Sequence, residues 1–505
     1  MYRILKSLKD TYITNKIVSN KFRATDANVG HAGTLDLFKL HDENTLTGTA
    51  EPQELSRLLI KFDLSSLQSL TGSTLDITHS SFKCTLKLYD VYGGQPCPTN
   101  FKIVVHPLSK SFDEGTGTDV KAYSHLDSCN FITASVANSS ANLWNAQGAN
   151  KHGLLGSSNI DIISSGNLND GSGVSNLFKT QSFSTGIEDV SIDITTMVSA
   201  TIAGLLPDEG FRIAFSGTQE TDETTRFVKR FASRHSSNPR KAPQVCVQYN
   251  DSVHDDHENM FFDLTGSLFL RNYHRGKLAN IISGTSLTEI TGDNSIRLKV
   301  KSGSWSKLVT GSQHKLGTIA VSGTYSASFL ISSLASELTG EINAAGSGTF
   351  NLYWLSTDQT VAYHTGSIVI NQIKRNNFSS LPRELSATIM NQKSSYLYTE
   401  KPRFRIHVED LKPTVVRARK LPRENKSLVF REMYYQVKDA MSGDVVIPFD
   451  TSKNSTMVSS DGDGMYFDLY MDALARGRSY TIDFSINDLG STVLLRNSGL
   501  NFRVD

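Results

Sequence analysis

Apolar and polar residues alternate with period two along most of this chain. Phe82, Cys84, Leu86 and Leu88 alternate with Lys83, Thr85, Lys87 and Tyr89. Phe101, Ile103 and Val105 repeat the pattern, as do Phe211, Ile213 and Phe215, then Val245, Val247 and Tyr249. Further on, Ile296, Leu298 and Val300 alternate with Arg297, Lys299 and Lys301. The same rhythm returns at Phe350, Leu352 and Trp354 and at Phe404, Ile406 and Val408. A two-residue period places alternate side chains on opposite faces of a strand, so these runs predict antiparallel sheets with one wet face. Ser, Thr, Asn and Gly clusters between the runs supply turn chemistry. One segment has helical spacing. In "DITTMVSATIAGLLPDEGF", Thr195 is placed to cap, Met197, Val198, Ile202 and Leu205 share a face, and Pro207 stops the run.

The expected fold is therefore all-β: three tandem antiparallel β-sandwich domains, with one short helix in the first. Two composition shifts set the boundaries. "NDSVHDDHENM" at 250–260 is polar, acidic and histidine-rich, and 372–401 mixes charge, serine and proline. These give a sandwich at 1–250, a linker at 251–263, a small sandwich at 264–371, a second linker at 372–401 and a last sandwich at 402–505. A chain of 505 residues exceeds one ordinary core, which agrees with several domains.

Charge narrows the function. The chain carries 51 basic and 50 acidic residues, whereas a dedicated nucleic-acid binder carries a basic excess. Two local basic stretches stand out nonetheless. "RFVKRFASRHSSNPRKAPQVCVQY" (226–249) holds Arg226, Lys229, Arg230, Arg234, Arg240 and Lys241. "KPTVVRARKLPRENKSLVFR" holds Arg417, Arg419 and Lys420. Neither interleaves the aromatic platform that single-stranded nucleic acid stacks on. Both are expected to face protein partners, with no nucleic acid bound. No apolar run reaches the roughly 18 residues of a membrane span, so no membrane insertion is expected. "MYRILKSLKDTYITNK" lacks the apolar core of a signal peptide. Cys84, Cys97, Cys129 and Cys246 form no C-x-x-C pair and are expected to be free thiols.

Four ordered landmarks in the first segment resemble the DNRLRE family, a β-sandwich related to carbohydrate-binding modules. They are the Asn28-Val29-Gly30 turn after "DTYITNK", Arg57 with Phe62-Asp63 in "ELSRLLIKFDLSSL", the loop "LWNAQGAN", and Phe231, Ser233 and Arg234 before Asn238-Pro239. In the last segment, "LARGRSYTIDFSI" looks like the tyrosine corner of fibronectin- or immunoglobulin-like sandwiches, where Tyr480 would tie its strand to the preceding turn. The assembly is similar to virion structural proteins of tailed bacteriophages. That resemblance implies a virion component of tail, baseplate or neck, made in the host cytoplasm, docking to other virion proteins in a symmetric multi-copy assembly. The alternative it leaves is a carbohydrate-binding adhesin or tail-fibre component for host surface glycans, with Trp144 as the sugar contact. Sandwiches of that kind hold structural calcium, which would be sought at Asp26, Asn28 and Asp36; no other cofactor or metal is expected.

Catalytic signals are weak. No G-x-S-x-G sits in a strand-turn-helix context, and Asp113/Glu114 and Asp222/Glu223 read as solvated loop acids, so no enzymatic activity is expected. "HDDHEN" (254–259) clusters possible metal ligands but reads as a solvated linker. "SSDGDGMYFD" (459–468) starts like a calcium loop, lacks the glutamate at the twelfth position, and reads as a hairpin turn.

Overall fold

In a computed structural model the chain is 47% strand and 6% helix, arranged as several antiparallel sheets. The structure describes all residues except 72–74, 92, 95, 122–126, 170, 172, 259, 285–286, 373–382, 412–426, 489–490 and 497–500. Two compact units result. One comprises Arg3–Ser69 and Phe82–Gln248, the other Met1–Tyr2, Leu70–Ser81 and Tyr249–Asp505.

The first unit is built on a ten-stranded sheet. Tyr2–Thr14 lies between Gln53–Phe62 and Gln244–Gln248, so the unit's opening and closing strands are neighbours. Lys83–Leu88 shows the expected alternation of buried and half-buried residues. Other strands depart from it. Phe211–Phe215 is buried along its whole length, and Phe101–Pro107 at all but one residue. The expectation of a wet face fails here: Arg212 meets Asn150 and Glu220, and His106 meets His152 and Phe178. Phe112, Cys129, Phe131, Ala134, Trp144 and Ala149 pack with Ile13, Leu59, Leu108 and Ile162 into a separate core. Burying Trp144 and Phe131 in this way stabilises the loops by several kcal/mol at roughly 25 cal/mol per Å2 of apolar surface.

The predicted helix forms at Thr195–Ile202, with its entry fixed differently from the expectation. The Thr195 side chain does not cap it. Instead Asp193 Oδ1 accepts from the Thr195 amide at 2.9 Å, and the Thr195 hydroxyl accepts from the Cys84 amide at 2.9 Å. Because the helix ends at Ile202, Leu205 is exposed and Leu206 takes the buried place. Among the described residues two further short α-helices appear, at Ser65–Gln68 and Thr339–Ala345. The latter ends on Gly346 at φ +66, the left-handed geometry that glycine adopts without steric cost.

The second unit contains a six-stranded sheet over 266–371. Its strand Trp305–Leu316 pairs with Ile296–Ser302 through residues 305–311 and with Ile319–Phe329 through the remainder. Ile296, Leu298, Val300, Tyr325, Phe350, Trp354 and Ile370 form its core. The C-terminal strands make two sheets that meet through aromatic rings. Phe467, from a four-stranded sheet, stacks on Tyr435 of the other with centroids 4.3 Å apart. Leu385–Ile389 and Ser395–Tyr396, inside the segment read as a second linker, are strands of these sheets. The latter lies parallel to Phe502–Val504, as His152–Leu154 does to Ile162–Asn167 in the first unit. The tyrosine corner is present. The buried Tyr480 hydroxyl accepts from the Ala475 amide at 2.7 Å and donates to the Ala475 carbonyl at 3.0 Å. Asp461 pairs with Gly464 across a two-residue hairpin, and Gly464 has φ +110. Among the described residues no helix is long and apolar enough to cross a membrane.

Candidate functional site

The stretch 226–241 of the first unit concentrates charge, and the fold decides what that charge faces. Arg226–Ala232 is a strand paired antiparallel with Thr34–His41. Arg226 is 8% exposed and grips Asp222 with two guanidinium nitrogens, each 2.7 Å from a carboxylate oxygen. The buried Lys39 ammonium reaches the same carboxylate at 2.8 Å. Hydrogen bonding to Arg226 holds the Asp222 carboxyl well below the usual carboxylate range. Lys229 is fully buried, bonded to Asp90 and lying 5.0 Å from the Phe231 ring centroid. Arg230 forks onto Asp36 with two contacts of 2.9 Å. Arg234 contacts Glu114 Oε2 at 3.3 Å.

Four successive cations thus meet carboxylates of their own unit. Arg226 lies inside the fold, not on a contact surface as expected. Arg230 and Arg234 are about one-third exposed. Arg240 is half-buried and Lys241 exposed, around a turn in which the Asn238 side chain accepts from the Arg240 amide at 3.1 Å. Arg417, Arg419 and Lys420 lie outside the described residues. Bidentate, partly buried pairs of this kind fix strand register and loop position more than they advertise charge to solvent.

The three expected calcium ligands do not converge. Asn28 is buried and fully used. Its amide donates to Glu114 O at 2.9 Å and Cys129 O at 2.7 Å, and its carbonyl accepts from the Gly30 and Gly117 amides. Asp36 is taken by Arg230, and Asp26 is half-buried. What Asn28 does instead is bring Glu114 beside His31. A Cβ on Gly30 would lie 2.0 Å from Glu114 O, so only glycine permits this approach. The result is a cluster of His31, Glu114 and His235 whose ligand atoms all lie within 4.8 Å of one another. His235 Nε2 is 3.5 Å from Glu114 Oε1, and the two imidazole centroids are 4.4 Å apart. Burial lowers the His235 pKa from its ordinary value. No spacing signal marks this cluster in the sequence, because its members are over 80 residues apart and each alone has the character of a loop residue.

Trp144, the expected sugar contact of the adhesin alternative, is 5% exposed. Its indole N–H donates to Asn130 O at 3.1 Å, so neither ring face is open for a pyranose to stack on. Arg57, one of the sequence landmarks, is a buried staple. Arg57 bonds Glu220 at 2.9 and 2.8 Å and Gly148 O at 2.7 Å. Arg212, 2% exposed, stands 3.5 Å from the same Glu220. Burial first, then Arg57, depresses the Arg212 pKa to about 9. Nearby His106 is pushed down to about 3 by burial and then by Arg212.

In the second unit, residues 254–257 of "HDDHEN" are tied into the structure and at least partly buried. The Val253 carbonyl accepts from the Ser460 amide at 2.9 Å, and the Asp255 amide donates to Ser460 Oγ at 3.1 Å. Asp255 is buried, which raises its pKa to about 6. The acids of the 459–468 hairpin are engaged likewise: Asp461 accepts from Arg405 at 2.5 Å.

No family model matches the chain, and no curated protein matches it. Among solved structures, the fibronectin(III)-like modules of Clostridium thermocellum CbhA match at 10% identity, with a TM-score of 0.14, over 49% of this chain and 91% of that one.

Proposed function

We propose that this chain is a structural protein of a tailed-bacteriophage particle, docking to neighbouring particle proteins through open sheet edges. The observation that carries the docking role is the strand Ala362–Asn371. It runs ten residues, "AYHTGSIVIN", without a lysine, arginine, acid or proline. Among the described residues its sheet pairing is to Ser347–Leu355, with a single further bridge from Asn371 to Phe261. Val369, on the outward face, is 48% exposed, while Ile368 and Ile370 are buried. Sheet edges in proteins that act alone are blunted by charge, proline or shortness, because bare amides and carbonyls recruit another strand. A long, uncharged edge fits β-augmentation by a partner segment. The internal pairing of the basic stretch also supports this reading over polyanion binding, since Arg226, Lys229, Arg230 and Arg234 already face carboxylates. The phage setting rests on the sequence resemblance. Mass spectrometry of purified particles of the encoding phage tests it: the chain is expected in the particle, and its absence would overturn the reading.

A further inference from the structure

The His31–Glu114–His235 cluster has the composition and the architecture of a metal site. We propose that it binds one late first-row divalent cation of the zinc type, with these three residues as ligands and at least one coordination position open to solvent. The donor set decides the ion class. Two imidazoles and one carboxylate suit zinc and its neighbours, whereas calcium and magnesium require oxygen donors throughout. Geometry agrees. Ligand atoms about 2.1 Å from a tetrahedral ion lie roughly 3.4 Å apart, and His235 Nε2 already stands 3.5 Å from Glu114 Oε1. No rearrangement of the backbone is required, because His31 is exposed and its side chain can turn to close the remaining gap within the 4.8 Å cluster.

Two further observations point to a ligand. His235 Nε2 is shielded from water and has no hydrogen-bond partner of good geometry, although it faces the cluster. A buried imidazole nitrogen left without a partner is costly unless something occupies its lone pair. The three ligand-bearing segments are also stapled together by residues that are not ligands. Asn28 holds the Glu114 carbonyl and the Gly117 amide, and the His31 amide donates to Gly117 O at 2.8 Å. Ser233 Oγ bonds Ala32 O and accepts from the His235 amide at 3.1 Å. Glu114 Oε1 accepts from the Asp10 amide at 3.0 Å, while Arg234 lies at the other oxygen, so Oε1 is oriented toward the histidines. Such supporting bonds are what pre-organise a metal site.

The test uses the full chain, freed of any affinity tag and treated with chelator. Titration with zinc chloride, followed by calorimetry, is expected to show one site, and cobalt(II) to give the visible absorption of a low-coordinate nitrogen-oxygen site. His31→Ala removes an exposed side chain and leaves the staples intact; it and His235→Ala should each weaken binding at least about tenfold. Zinc should raise the melting temperature of the wild type and not of the double variant. No saturable zinc binding, or binding unchanged in both single variants, would overturn the proposal.

Discussion

Replacing Glu220 by glutamine should unfold the first unit far more easily than its single-atom change suggests. The carboxylate is the counter-charge shared by Arg57 and Arg212, which are 4% and 2% exposed. The Arg57 contact is 2.8 Å. At an effective dielectric of about 20, that separation corresponds to roughly 6 kcal/mol of gross attraction, part of which offsets desolvation of the ions. Removing one partner leaves the guanidiniums buried without that charge, and losses of this kind are about 3–5 kcal/mol. Guanidinium does not lose its proton at neutral pH, so the depressed Arg212 pKa is a measure of destabilisation that the variant would increase. For a unit of this size the melting temperature should fall by about 6–20 °C. Hydrogen exchange of the Phe211–Phe215 strand as a function of urea reports this unit separately from the other. Glu209→Gln is the control, since its 3.6 Å pair with Lys61 is partly exposed and should contribute less than about 1 kcal/mol. Equal, small losses in both variants would refute the reasoning that the Glu220 network is a buried, charge-dependent staple.

Other expectations follow from the same geometry. His106 has a folded pKa near 3 against about 6.5 unfolded, so the unfolded chain takes up a proton first as pH falls. Stability should therefore drop between about pH 6.5 and 3, and His106→Phe should flatten that slope by up to roughly 1.4 kcal/mol per pH unit, measured by urea unfolding. Tyr480→Phe strands the buried Ala475 amide and carbonyl and should cost the second unit about 1–3 kcal/mol in the same assay. Val369→Lys places a charge on the uncharged edge strand; it should reduce incorporation into particles while leaving the circular dichroism and melting temperature of the isolated chain unchanged.

Much of the fold is legible in the sequence because period-two alternation survives in strands such as Lys83–Leu88 and Ile296–Ser302, where one face meets solvent. It is less legible where loops cover the second face. Phe112, Phe131 and Trp144 look like loop residues in sequence, yet they build a core over the sheet. Tyr480 is readable because the tyrosine corner is local, its partner Ala475 lying five positions earlier. The candidate site is not. Basic residues at 226–234 are visible as charge, but their acidic partners come from as far as 194 residues away, as with Asp36 and Arg230. Asn28 stands out in the sequence as a landmark and a calcium ligand, whereas its amide clamps the loop that carries Glu114. Side chains drawn together by long-range pairing leave no spacing signal.

The proposed role makes this chain a fixed architectural part of a phage particle. Quantitative mass spectrometry of purified particles, with isotope-labelled peptides of this chain and of the major tail or capsid protein, measures it directly. A constant whole-number ratio set by the particle's symmetry, reproducible between preparations, is expected. A trace amount that varies between preparations, or that washes away on further purification, would contradict it.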